Sequence, residues 1–304
     1  MNRIEIRELT REYGSVRAVD HLTFDVLPGR VTGFLGPNGA GKSTTMRLLL
    51  GLDRPTSGTA TIDGRAFTSF TEPLRRVGAL LDPQSIHGGR TARDHLRLLA
   101  ATNRIPAQRV EEVLEQAGLA PVAGRRVKTF SLGMRQRLGI AAALLGDPGV
   151  LLLDEPTNGL DPEGIVWIRE LMRALAAEGR TVLVSSHLMS ETAAAADHLI
   201  VLGAGRLLAD TSMDGFIEAR STSKVQLRTS EPVRLRAALA RDGLELLDAG
   251  AGRWTVDGIR AEQLGTLAAR ECIALLELTD LRASLEQAYL DLTADHAQFT
   301  AAAR

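Results

Sequence analysis

Val31-Thr-Gly-Phe-Leu35-Gly36-Pro37-Asn38-Gly39-Ala40-Gly41-Lys42-Ser43-Thr44 is the stretch that decides the fold. Val31 to Leu35 reads as a strand. Lys42 to Gly51 has helical apolar spacing and ends on glycine. Between them, Gly36 to Ser43 fits the spacing Gly, four residues, Gly-Lys-Ser, in the strand, loop, helix context that gives this pattern its meaning. Glycines let backbone N–H groups turn inward around phosphate oxygens, and the helix start at Lys42 adds its positive dipole end. The pattern assigns Lys42 to the terminal phosphates of a nucleotide. Ser43 then offers its hydroxyl to a magnesium ion, and Thr44 is a further phosphate contact.

Downstream, Val150-Leu-Leu-Leu-Asp154-Glu155 is an apolar strand ending in two adjacent carboxylates, which strand alternation turns toward different targets. Two acids at a strand end also fit a solvated turn, but the phosphate loop upstream favours chemistry. Asp154 would hold magnesium, directly or through water, and Glu155 would polarise the water that attacks the γ-phosphate. The apolar runs Val150 to Leu153 and Thr181 to Val184 flank a helical stretch, Gly164 to Ala177, which is the βαβ rhythm of a parallel sheet. Further strands are expected at Ile4 to Leu9 and Leu22 to Val26. A helical subdomain is expected over residues 85–146, where Leu96, Leu99, Val110, Val113 and Leu114 alternate with charged positions.

A polar stretch from Arg220 to Lys224 marks a boundary, giving an α/β domain over 1–220 and a small α+β domain over 221–304. In the tail, strands are predicted at Val225 to Arg228, Leu244 to Leu247 and Trp254 to Val256, with helices between and a last helix from Leu281 to Leu292. That order fits a ferredoxin-like unit. No chemistry-bearing motif occurs in it, so a dimer-stabilising or regulatory part is expected.

The chain of 304 residues carries 36 basic and 37 acidic side chains, so no excess positive charge is available to hold nucleic acid. One cysteine, Cys272, rules out an internal disulfide and a cysteine zinc cluster, and fits a reducing compartment. A membrane-spanning helix needs about 18 or more consecutive apolar residues. Runs such as Ala141 to Leu145 fall far short, and Met1 to Thr10 lacks a signal peptide's apolar core, so a cytosolic protein is expected.

With these residues on the page, the sequence resembles the ATP-binding cassette (ABC) family over residues 1–220, through several motifs in family order. Phe130-Ser-Leu-Gly-Met134, followed by Arg135-Gln-Arg137, is similar to the family signature Leu-Ser-Gly-Gly-Gln and its basic continuation. Ser131 and Gly133 match it, while Leu132 and Met134 depart from the first glycine and the glutamine. Asn158-Gly-Leu-Asp161 follows the paired acids as the family's D-loop does, and His187 stands at the position of its switch histidine, which senses γ-phosphate. Tyr13 matches the aromatic residue on which the family stacks adenine, a task that needs only a flat ring face. Counting from Val77-Gly78 forward and from Thr91 backward places the Q-loop glutamine at Asp82, with Gln84 two residues late. Either Asp82 serves as an acidic magnesium ligand, or a rearrangement brings Gln84 in; Asp82 is favoured because neither count then needs a gap.

The resemblance implies an ABC-cassette P-loop fold that binds ATP with Mg2+ along Gly36, Pro37, Asn38, Gly39, Ala40, Gly41, Lys42, Ser43 and Thr44. It implies catalysis by Glu155 and His187, and metal binding by Ser43, Asp154 and Asp82. In the family, the signature serine of one subunit, here Ser131, completes the phosphate site of another; Gly133 and Asp161 are implied as further nucleotide-binding residues. A second ATP-binding subunit, most simply an identical chain, is therefore implied. So is a separate transmembrane permease on the cytoplasmic face of the membrane, docked on the helical subdomain and the loop around Asp82. The signature sequence, the acidic Q-loop position and the appended tail together look like the ATPases of bacterial bacitracin- and daunorubicin-type drug exporters. Against an ABC ATPase acting on DNA or ribosomes stand the charge balance and the absence of a coiled-coil insertion or second cassette. Against a regulatory module with vestigial hydrolysis stand Glu155 and His187.

Overall fold

A computed structural model describes residues 2–186, 189–219, 224–281, 285–290 and 292. The chain divides into two compact units, Met1–Met213 and Asp214–Arg304.

The first unit opens with β1 (Ile4–Tyr13) and β2 (Val16–Val26), then β3 (Arg30–Leu35), α1 (Lys42–Leu49), β4 (Ser57–Ile62) and β5 (Val77–Leu80). Next come α2 (Ala92–Thr102), α3 (Ala107–Gln116), α4 (Leu132–Leu144), β6 (Val150–Asp154), α5 (Pro162–Ala177) and β7 (Thr181–Ser185). It closes with α6 (Met189–Ala195), β8 (His198–Gly203) and β9 (Arg206–Ser212). An antiparallel sheet of order β2-β1-β4 lies beside a six-stranded sheet of order β5-β6-β7-β3-β8-β9, parallel except for β9. One apolar cluster joins them: Ile4, Ile6 and Phe24 from the first sheet, Phe34, Leu152, Leu183 and Ile200 from the second, and Met46 and Leu49 from α1.

Every residue of β6 and β7 is buried, which is why these strands read as continuous apolar runs. In the parallel ladder Ser185 pairs with Asp154 on one side and with Phe34 on the other, so the carboxyl ends of β6, β7 and β3 finish level. That edge of an open α/β sheet is where ligands bind. In the helical region Leu96, Val110, Val113 and Leu114 are buried, as the sequence spacing selects, while Leu99 is half-buried; Leu138 and Ile140 of α4 are buried as well.

In the second unit, α7 (Met213–Glu218) spans the division and is followed by β10 (Lys224–Thr229), α8 (Pro232–Arg241), β11 (Leu246–Asp248), β12 (Trp254–Asp257), α9 (Ala261–Arg270) and β13 (Leu275–Leu281). The sheet order is β11-β12-β10-β13 with every neighbour antiparallel, the connectivity of a ferredoxin-like unit. Its core is Val225, Leu227, Leu235, Leu239, Val256 and Leu264.

Two expectations shift here. Leu244 lies in the turn that follows α8 and not in a strand, because Gly243 takes φ 72° and Leu244 N–H donates to Leu239 O, a helix-terminating turn. Leu281 ends β13, paired with Lys224, and does not start the last helix; residues 285–290 are helical. Among the described residues no helix is long and apolar enough to cross a membrane.

Candidate functional site

A cavity of about 1000 Å3 opens at the level strand ends. Its wall includes Asn38, Gly39, Ala40, Gly41, Lys42, Ser43 and Thr44 from the phosphate loop, Asp154 and Glu155 from the end of β6, and Tyr13. A volume of this size accommodates a nucleotide.

The loop is held from both sides. Gly41 precedes α1 with φ 102°, and a Cβ there would lie 2.6 Å from Ala18 O, so only glycine lets the backbone turn into the helix at this point. No side chain caps α1, which leaves the N–H groups of its first turn directed at whatever enters the loop. Lys42 Nζ donates to Gly36 O at 2.6 Å and to Pro37 O at 3.3 Å, so the ammonium group is tied across the loop. Burial pulls its pKa below the ordinary lysine value, while the charges of Glu155 and Asp154 oppose that shift. Ser43 is exposed and Thr44 half-buried on the same wall.

Asp154 is buried, and its Oδ1 accepts a hydrogen bond from Ser185 Oγ. Ser185 Oγ in turn accepts from Glu155 N at 3.0 Å, and Ser185 O accepts from the same N–H at 3.2 Å. Glu155 itself takes a left-handed backbone, φ 50°. Its carbonyl accepts from Asn158 N at 3.2 Å and from Gln136 Nε2 at 3.0 Å. The paired acids thus leave β6 through a tight turn, with both residues on the cavity wall and both charges acting on Lys42.

Tyr13 carries the guanidinium of Arg11 at 4.3 Å from its ring centroid, and its hydroxyl donates to Asp53 Oδ2 at 3.1 Å. The ring is thereby fixed at the cavity edge beside Val16, Arg17 and Ala18.

Ser131, Gly133, Asp161 and Asp82 do not belong to this wall. Ser131 caps α4, accepting from Met134 N at 3.2 Å, and Asp161 caps α5, accepting from Gly164 N at 2.9 Å. A Cβ on Gly133 would come within 2.6 Å of Gly159 O, which explains why this glycine of the signature is kept. At the neighbouring position, Leu132 is half exposed and meets the cavity. Asp82 is exposed, between Leu81 and Pro83, which do line the cavity; Asp82 O accepts from Ser85 Oγ at 2.8 Å. His187 and the side chain of Gln84 lie outside the described residues.

Two residues that the sequence reading did not single out stand at the centre: Ser185 and Gln136, which is 1% exposed and lines the cavity. The sequence offers one cue for Gln136, a neutral polar residue just before the apolar stretch Leu138 to Leu145, but nothing in it tells what that side chain touches.

Comparison with known proteins agrees with this geometry. The family described as ABC transporter matches residues 19–158, and a domain of unknown function matches residues 223–286. The chain is 43% identical over 231 residues to the bacitracin transport ATP-binding protein BcrA of Bacillus licheniformis, covering 75% of each chain. It is 36% identical over 212 residues to the lantibiotic transport ATP-binding protein SrtF of Streptococcus pyogenes, covering 70% of this chain and 92% of that one. To the Nod factor export ATP-binding protein I of Cupriavidus metallidurans it is 38% identical over 212 residues, covering 68% and 70%. Among solved structures, an ATP-binding subunit of an ABC transporter superposes with TM-score 0.66 at 28% identity, covering 71% of this chain and 92% of the other.

Proposed function

Because the chain belongs to the ATP-binding subunits of ABC transporters, we propose that it is the motor of a transporter that expels antibiotic-like compounds, working as a dimer with a separate transmembrane permease. The observation that carries the reading is the convergence of Lys42, Ser43, Asp154 and Glu155 on one cavity. The names of BcrA and SrtF, bacitracin and lantibiotic transport, support the substrate class.

In this reading the phosphate loop and Lys42 bind the phosphates of ATP, and Tyr13 stacks on adenine. Ser43 and Asp154 suit magnesium: a hydroxyl and a buried carboxylate, on one wall with the phosphate loop, are the one or two protein ligands that this hard cation takes beside phosphate and water. Magnesium would neutralise charge on the phosphates. Glu155 takes the proton of the attacking water as the new P–O bond forms; the bond to the β-phosphate oxygen breaks, and ADP and phosphate leave. His187 would sense the γ-phosphate, and Asp82, whose neighbours Leu81 and Pro83 line the cavity while it does not, would reach the metal only with a shift of the permease-facing loop.

Ser131, Gly133 and Asp161 act on the nucleotide of a second copy, a role supported by their places outside the chain's own cavity wall. ATP stabilises the closed pair, and loss of the γ-phosphate releases it, which gives the permease two states to follow. The motor sits at the cytoplasmic face of the membrane through its permease, and residues 221–304 stabilise the dimer or regulate it.

ATP turnover of the purified chain, compared with Lys42→Ala and Glu155→Gln, tests this. Turnover is expected to fall by about 100-fold or more in both, with an ATP-bound dimer trapped on size-exclusion chromatography only by Glu155→Gln. Full activity in Glu155→Gln removes the catalytic assignment, and a chain that never dimerises removes the composite site.

A further inference from the structure

Gln136 sits one turn into α4, the helix that Ser131 caps. It is buried to 1% exposure, and its Nε2 donates to the carbonyl of Glu155 at 3.0 Å. Its Oε1 is also buried and finds no hydrogen-bond partner among the described residues. An unmatched buried acceptor costs stability, so an apolar side chain of the same size would serve the fold better. What the amide supplies instead is one hydrogen bond to the backbone of a residue held at φ 50°. A side chain other than glycine in that region is strained unless its surroundings fix it. Glu155 is fixed from both sides, its N–H by Ser185 and its carbonyl by Gln136 and Asn158.

The rest of α4 grips the same loop. Gly133 packs closely on Gly159, and Arg137 Nη2 lies 3.7 Å from Asp161 Oδ1 while its guanidinium stacks 4.8 Å above Trp167. Helix α4 therefore touches the 155–161 segment at its start, middle and end.

We propose that Gln136 is a positioning residue for ATP hydrolysis: its amide holds the Glu155 peptide in the left-handed turn that aims the carboxylate, and so ties the orientation of the signature helix to the competence of the site. This rests on Glu155 being the group that activates water. Gln136 lines the cavity but commits its Nε2 to the Glu155 carbonyl, so its loss is expected to act on turnover and not on nucleotide affinity.

The test is steady-state ATP turnover of the full chain with Gln136→Met, which keeps the length and removes the donor, and Gln136→Asn, which keeps the amide but falls short of the carbonyl. We expect kcat to fall about tenfold in Gln136→Met, the effect of losing one hydrogen bond that orients the Glu155 peptide, and by a similar factor in Gln136→Asn. KM for ATP and the melting temperature with bound nucleotide should hold. In the Glu155→Gln background, Gln136→Met should add no further loss in single-turnover hydrolysis, because the group it positions is gone. A rise in KM at unchanged kcat, or equal losses in both backgrounds, overturns the proposal. If Gln136→Met does not fold, Gln136→Asn carries the same comparison. Should Glu155→Gln keep full turnover, the reading of Glu155 fails and this inference with it; loss in Glu155→Gln beside unchanged turnover in Gln136→Met sinks the inference alone.

Discussion

The two units of the chain spend their buried polar groups very differently. In Met1–Met213, Lys42, Asp154, Ser185 and Gln136 are all buried around one cavity, each holding or opposing another's charge or hydrogen-bonding capacity. In Asp214–Arg304 the buried side chains with a polar group, among the described residues, are Thr255 and Tyr289, and the sheet's core cluster is aliphatic. That unit's main groove, between α8 and α9, is open and lined by Arg241, Glu262, Arg270 and Glu271, with Arg241 and Glu271 paired at 2.8 Å. Burying charge is costly unless it is compensated, and proteins accept the cost where chemistry needs it. The contrast concentrates the buried polar groups, and with them the candidate chemistry, in the first unit.

The largest effect that sharpens this contrast is expected from Leu227→Ala. Leu227 is fully buried in the second core, and the truncation should cost about 2–5 kcal/mol through lost transfer energy and a cavity. Calorimetry should show the second unit melting early while ATP turnover survives; loss of turnover in parallel would break the comparison. Next is Gly133→Ala, where a Cβ 2.6 Å from Gly159 O must push the 155–161 loop. Overpacking of this kind should cost about 1–3 kcal/mol, read as a lower melting temperature of the first unit together with slower hydrolysis.

The smallest effect concerns Asp20, whose carboxylate meets His21 Nδ1 at 2.8 Å, Arg206 Nε at 2.6 Å and Arg17 Nη1 at 2.9 Å. His21 foremost, with Arg206 and Arg17, lowers its pKa to about 2 against the opposing effect of burial. A carboxylate held below its unfolded value stabilises the fold fully above about pH 4 and loses that contribution as the pH falls through the folded pKa. Asp20→Asn should therefore cost on the order of 1 kcal/mol at neutral pH after allowance for solvent screening. The difference from the unchanged chain should close between about pH 4 and pH 2 in acid titrations followed by fluorescence. A constant difference across that window removes the electrostatic account.

The two units were also unequally legible. The phosphate loop could be read because its chemistry fixes residue types at fixed spacing, and β6 and β7 because burial on both faces leaves no polar positions. Gln136 and Ser185 could not be placed by motif, since what they do depends on strand register and helix packing that bring residues 19 and 30 positions apart into contact with Glu155. Leu244 shows the opposite error. Its apolar neighbours suggest a strand, but a glycine at positive φ folds it back onto α8. Leu281 was read into the last helix because a leucine fits either period, and only its pairing with Lys224 shows the strand.

The backbone of Glu155 also bears on how such a site decays. At φ 50° a glycine or asparagine would sit more comfortably than glutamate. On the role proposed for Glu155, turnover is what a glutamate contributes at this strained position. In any descendant freed from the need to hydrolyse ATP, drift toward Gly or Asn at this position runs downhill in stability, so a silent cassette of this kind should outlast its active parent on heating.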